Sequence, residues 1–259
     1  MEAFTSCPLA FRFSSIEGLP EPPSEAATKG SLVHRALELF FAETNGARDT
    51  MTLGHWFDQA WSEFQSLPEF TGLGLDHPAT TAFRADAQSL ASRYLTVEDP
   101  TQVNDIGLEL RLEANLGVVT LRGVIDRLDR DADGNLVISD YKTGRSPSPR
   151  HAQQRLNALH LYALLCHEVV GRVPSRLRLI YLRDGRIVEA TPDDQSLRFA
   201  AMRTHALWRA VERACTTGRF DPRPGPLCSY CAFKQWCPAF GGDPARAGSE
   251  LLDTGTVPG

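Results

Sequence analysis

No run of apolar residues in the 259-residue chain approaches the length of a bilayer span, so the sequence offers no transmembrane helix. The opening residues, MEAFTSCPLAF, lack the basic stretch and apolar core of a secretory leader, and the expectation is a cytoplasmic protein. An excess of positive charge is also missing: 27 Lys and Arg stand against 32 Asp and Glu, for a net charge of −5. That removes the global basic signature of nucleic-acid binding. It leaves room for a local patch, because carboxylates that hold a cation themselves lower the net charge. The six cysteines, in a cytoplasmic chain, suggest metal ligands or buried thiols rather than disulfides. What remains is ordinary for a globular protein, 42% hydrophobic and 23% charged, and long enough for one to two domains.

The most informative stretch is Gly123 to Gly144, GVIDRLDRDADGNLVISDYKTG. Apolar residues lead in at Val124, Ile125 and Leu128 and out at Leu136, Val137 and Ile138, with Asp131-Ala132-Asp133-Gly134-Asn135 between them as a hairpin signal. Folding about Asp133 sets Asp126 opposite Asp140, where side chains on one face stand roughly 5 Å apart. Two carboxylates that close repel, and a divalent cation between them turns the liability into a site. Lys142, two residues beyond Asp140, projects from the same face. Two acids and one ammonium converging on a point suit metal-assisted phosphodiester hydrolysis. The apolar run before Asp140 marks a buried central strand rather than a solvated surface hairpin.

G-x-x-D-R-x-D followed by D-Y-K-T-G resembles the second and third motifs of the PD-(D/E)XK nuclease superfamily, in its RecB-like exonuclease branch. The resemblance implies Asp126 and Asp140 as metal ligands, the carbonyl of Tyr141 as a further ligand, and Lys142 as the catalytic lysine. Upstream, Gly30-Ser31-Leu32-Val33-His34 resembles that branch's histidine motif, which makes His34 a ligand for Mg²⁺ or Mn²⁺. Ser31 reads as the N-cap of that helix, with Leu32, Val33, Ala36, Leu37 and Phe40 as its buried stripe. In the helix expected from His151 to Val170, Tyr162 matches the family's catalytic tyrosine, whereas Ala158 stands where the family has glutamine and Gln154 lies one turn back. Arg127, Arg145, Arg150 and Gln154 are the candidate DNA contacts.

The rest of the chain frames this core. Residues 51–97 read as a helical insert with aromatic core positions at Trp56, Phe57, Trp61, Phe64, Phe83 and Tyr94. Gly107 to Glu113 alternates as a half-buried strand, in which Glu109 or Glu113 supplies a further acid, Glu109 being the better match to the family's first motif. Arg176–Leu182 and Arg186–Ala190 form a second hairpin around Asp184-Gly185, and Ser196–Thr217 an amphipathic helix. Near the C-terminus, Cys228, Cys231 and Cys237 make a C-x₂-C-x₅-C run in a short proline-bounded segment that needs a metal to hold it. Cys7 is the best fourth ligand, since Cys166 and Cys215 sit inside helices and read as buried. Zn²⁺ and a [4Fe–4S] cluster both take four sulfurs. The arrangement resembles the iron–sulfur staple of AddB-type and CRISPR-adaptation nucleases, which favours the cluster.

The expected architecture is α/β: a restriction-endonuclease-like mixed sheet flanked by helices, in a single domain over residues 1–240. The cysteine segment occupies residues 222–240, and a disordered tail follows from 241 to 259. The expected activity is Mg²⁺- or Mn²⁺-dependent DNA hydrolysis, exonucleolytic on single strands, in repair or recombination, with a helicase as a possible partner and no membrane. The alternative is a catalytically weakened DNA-binding subunit of a helicase–nuclease complex.

Overall fold

The computed structural model describes residues 2–44 and 46–247; the side chains of Glu2, of residues 149–154 and of Asn157 lie outside that description. The chain divides into two compact units, where the sequence suggested a single domain over 1–240. One is residues 23–203, and the other joins residues 1–22 to the segment from 204 onward.

The terminal unit opens with α1 (Glu2–Ser6) and α2 (Pro8–Phe11), followed by a π-helical turn at Arg12–Ile16. Pro8 sits in the first turn of α2, where its missing N–H costs nothing.

The larger unit begins with α3 (Glu25–Ala42). The N-cap is Ser24, about two turns before the expected Ser31, and Gly30 and Ser31 are interior. A glycine inside a helix costs about 1 kcal/mol. Here it is offset by the Lys29 ammonium, which bonds Glu25 at 3.1 Å and Asp86 at 2.8 Å, and by burial of Leu32, Val33, Ala36, Leu37, Phe40 and Phe41. Three further helices follow: α4 (Thr50–Phe64), α5 (Pro68–Thr71) and α6 (His77–Val97). Asp49 and Asp76 cap the two long ones by accepting from the N–H groups of Thr52 and Ala79. The aromatic positions of the insert are core: Phe57, Trp61, Phe64, Phe83 and Tyr94 are buried with the apolar stripe of α3.

Five strands form one mixed sheet in sequence order: β1 (Asp105–Asn115), β2 (Thr120–Arg130), β3 (Leu136–Lys142), β4 (Arg176–Tyr181) and β5 (Arg186–Ala190). All neighbours are antiparallel except β3 and β4, which run parallel and are joined across one face by α7 (Pro149–Val170). Helices α3, α4 and α6 cover the face carrying Tyr141 and Ile180, and α7 covers the face carrying Ile138, Leu177 and Leu179. β3 is therefore buried on both sides, as its apolar run predicted. The β2–β3 turn falls on Asp131–Asn135. The Asp131 carboxylate accepts from the N–H groups of Asp133 and Asn135, and Gly134 takes φ 79°.

α8 (Asp194–Thr217) leads out of the larger unit. In the terminal unit, Leu9, Phe13, Phe233, Trp236 and Ala247 form the core, with Cys7, Cys231 and Cys237 packed against them. The segment expected to be disordered from 241 onward contains a short 3₁₀ turn at Pro244–Arg246 and the buried Ala247. The reason is apolar burial that Gly/Ala/Pro content does not disclose. Residues 248–259 lie outside the described residues.

Candidate active site

Register is the first determinant of the site. β2 and β3 pair Arg127 with Ser139 and Leu128 with Ile138, so the ladder turns about Asp133 and carries Asp126 and Asp140 to its next step. There the regular pairing ends. The Asp126 carboxylate instead accepts a hydrogen bond from the Tyr141 N–H at 2.7 Å. On the other side of β2, Leu108 pairs with Arg127 and Leu110 with Ile125, which sets Glu109 beside Asp126. Glu109 has φ 43°, the sole non-glycine residue in the left-handed region among the described residues. Such backbone is strained for a residue with a Cβ and persists only where its surroundings impose it. Its effect is to bring Glu109 in beside the other ligands.

α3 supplies the next group. Gly30 lies against Thr143, with the threonine Oγ1 3.4 Å from where a Cβ would stand, so α3 runs close past the end of β3. One turn on, His34 Nε2 donates to the Tyr141 carbonyl oxygen at 3.0 Å, and Nδ1 lies 3.4 Å from Asp126 Oδ2. The Tyr141 carbonyl, expected as a ligand, thus also orients the imidazole. An N–H···O=C bond on the far ring nitrogen is how metal-binding histidines are commonly held. His34, Glu109 and Asp126 each present a ligand atom, all within 4.8 Å of one another. Imidazole nitrogen and carboxylate oxygen form a donor set that suits Mg²⁺ and, better, Mn²⁺.

Asp140 and Lys142 stand beside this group as an ion pair. Asp140 is 6% exposed. Burial, reinforced by the nearby Asp126 carboxylate, raises its pKa above the ordinary carboxylate range. Glu109 is raised for the same two reasons in the same order. His34 experiences burial, which works against its charged form. The Asp126 carboxylate outweighs it, and the imidazole's pKa is raised on balance. A cluster whose acids resist ionisation in the bare protein is one that a cation would relieve.

α7 brings in Tyr162, half-buried, its ring lying where a side chain on Gly123 would be. A Cβ at Gly123 would come within 2.8 Å of Tyr162 Cε1 and of Leu165 Cδ1. The phenol is pushed up to about 12, by burial first and then by Asp140, Asp126 and Glu109.

Two expected positions fall elsewhere. Arg127 is fully buried and is no DNA contact. It forks onto Asp129 at 2.8 and 3.0 Å, and bonds Glu98 at 2.7 Å, Tyr141 Oη at 2.8 Å and Tyr94 Oη at 3.0 Å. The strand alternation that sends Asp126 toward the site sends Arg127 into the helical face, where α6 provides partners invisible to local sequence. Glu113, the other acid weighed on β1, is exposed and pairs with Arg122, which leaves Glu109 as the strand's contribution. Arg145 is exposed on the loop after β3; the side chains of Arg150 and Gln154 lie outside the described residues.

In the terminal unit Cys7, Cys228, Cys231 and Cys237 line one cavity with Phe13 and Phe233. The Cys7 sulfur accepts from the Arg223 N–H at 3.5 Å and the Cys228 sulfur from the Gly225 N–H at 3.3 Å. Burial, and then the other three cysteines, push the Cys231 thiol up. Cys166 is buried as expected, its thiol raised to about 11 by burial. Cys215 is exposed, contrary to the reading from its place in a helix, because it lies on the outward face of α8.

A sequence model of the PD-(D/E)XK nuclease superfamily matches residues 1–238. The Gene 69 protein of Mycobacterium phage D29 is 23% identical over 260 residues, spanning 92% of this chain and 94% of that protein. A crystal structure of a candidate exonuclease from Eubacterium rectale superposes with a TM-score of 0.56 at 13% identity, covering 87% of this chain and 80% of that one. At that identity the likeness concerns fold, and it agrees with a restriction-endonuclease-like mixed sheet flanked by helices.

Proposed function

The chain belongs to the PD-(D/E)XK nuclease superfamily, and from that premise we propose that it is a Mg²⁺- or Mn²⁺-dependent exonuclease of RecB-like type acting on single-stranded DNA. The observation that carries the reading is the convergence of His34, Glu109 and Asp126 beside the Asp140–Lys142 pair. In this reading His34, Glu109, Asp126 and Asp140 would hold the cation. When bound, the cation supplies a water acidified at neutral pH and a positive centre for the phosphate. Asp140 holds the Lys142 ammonium, which stabilises negative charge developing on the scissile phosphate. His34, fixed by the Tyr141 carbonyl, keeps Nδ1 aimed at the acidic group. Tyr162, kept protonated by its surroundings, is a hydrogen-bond donor for a phosphate oxygen or the attacking water.

We assign the four cysteines of the terminal unit to a [4Fe–4S] cluster. Tetrahedral zinc, which also takes four sulfurs, is the chemical alternative. The one-plus-three cysteine arrangement, similar to the iron–sulfur staple of AddB-type and CRISPR-adaptation nucleases, favours the cluster over zinc. N–H···S bonds to Cys7 and Cys228 are of the kind that stabilise cluster thiolates.

The test is end-labelled single- and double-stranded DNA incubated with the protein in Mn²⁺ and in EDTA. Progressive shortening of the single strand in Mn²⁺ alone is expected. Binding without cleavage under any divalent cation would favour the second reading, a DNA-binding subunit, to which Ala158 at the family's glutamine position lends some support.

A further inference from the structure

We infer that an arginine-lined groove in the terminal unit binds the phosphate backbone of a single nucleic-acid strand; the inference rests on the nuclease reading and adds a substrate site to it. Helix α8 ends at Thr217 and is followed by Gly218, whose φ of 68° is the left-handed conformation that stops a helix. Arg219 and Arg223 of the following segment line one groove with Arg213 of α8, Phe4 and Pro8. Among its described lining residues the charged groups are thus three arginines and one carboxylate, Asp221. That acid stands 3.7 Å from Arg219, and both side chains are 77% exposed, so the pair is solvent-screened and easily exchanged for a phosphate. Arg223 is held in place by a bond from its guanidinium to the Thr5 carbonyl, while its N–H bonds the Cys7 sulfur. Local excess positive charge in a chain of net charge −5 is not accounted for by solubility. Guanidinium matches phosphate with paired donors, and the half-buried Phe4 adds an aromatic lining residue. None of the three arginines belongs to the acidic cluster that performs the proposed chemistry.

Binding of a fluorescent oligothymidylate to the full chain is measured in EDTA over a series of NaCl concentrations. Each lost phosphate contact on a single strand flattens the dependence of log K on log salt by about 0.7, so the double variant Arg213→Gln/Arg219→Gln should flatten it by about 1.4 and bind more weakly. Arg213→Lys/Arg219→Lys keeps the charge and should keep the slope. Hydrolysis of bis(p-nitrophenyl) phosphate, which carries one phosphodiester, should be unchanged in both. If the wild-type chain binds and cleaves DNA while the glutamine variant shows the wild-type slope, the groove proposal fails and the nuclease reading stands. If the wild type neither binds nor cleaves, both fall.

Discussion

Each acid in the site has a different local reason for its position, and the variants separate them. Asp140 is nearly buried and pairs with Lys142. Asp140→Ala removes one member of a repelling carboxylate group, so the metal-free protein should melt no lower than wild type while DNA cleavage is lost. Wild-type cleavage by the folded variant would end the catalytic assignment. Glu109 combines a ligand role with a left-handed backbone, strain on the order of 1–3 kcal/mol for a residue with a Cβ. Glu109→Gly should therefore be more thermostable than Glu109→Ala, by about 1 kcal/mol, with cleavage absent from both. Equal melting temperatures would argue that the strand is unstrained there. His34→Ala keeps the acids but loses an imidazole ligand. Its activity should require a higher Mn²⁺ concentration, read as a rightward shift of the titration, and an unshifted curve would leave His34 with a structural role only.

Between elements, two contacts hold the site to the fold. β2 meets α7 at Gly123, where even a methyl group would strike Tyr162 and Leu165. Gly123→Ala should push α7 outward and carry Tyr162 with it, lowering the rate of cleavage and destabilising the fold by roughly 1–3 kcal/mol, the usual range for overpacking. A denaturant midpoint matching wild type would show that the helix adjusts without cost. On the opposite face Arg127 ties β2 to α6 and to Tyr141 of β3 through Glu98, Asp129 and two phenols. Removing one partner of a buried charged network leaves others uncompensated, so Arg127→Ala should cost about 3–5 kcal/mol. An effect on DNA affinity with little change in stability would return Arg127 to the role of a surface contact, against its burial.

At the scale of the whole molecule one unit joins residues 1–22 to the segment from 204 onward, and Cys7, Cys228, Cys231 and Cys237 line one of its cavities. Without a bound cofactor this unit has a core of only a few large side chains. Ligation should then be a main part of its stability. Protein prepared without oxygen should be brown, with iron and acid-labile sulfide in equal amounts. Cys7→Ala should lose the colour and unfold the terminal segments, seen as proteolysis near both ends. A colourless preparation with one zinc per chain would keep the ligands and change the metal.

The hairpin, its register about Asp133 and the buried character of β3 were all legible in the sequence, because turn chemistry and apolar periodicity are local properties. The candidate set His34, Asp126, Asp140, Lys142 and Tyr162 came from motif spacing, and the fold places His34 beside Asp126 and Lys142 beside Asp140. Periodicity left Glu109 and Glu113 as alternatives, since both lie on one strand at the same parity, and only the family resemblance favoured Glu109. The bend at Glu109 and the ion pair of Glu113 with Arg122 separate them, and both arise from pairing with β2. Arg127 was misplaced for a related reason. Charge normally favours the surface, and its burial depends on partners from α6 some thirty residues upstream. The start of α3 at Glu25 rather than Ser31 follows from Lys29 reaching Asp86 on α6. What the sequence alone determined was thus the set of chemical groups and their local strands and turns. Tertiary packing decided which of those groups face one another, because burial, ion-pair partners and ligand distances depend on chain segments that local order does not relate.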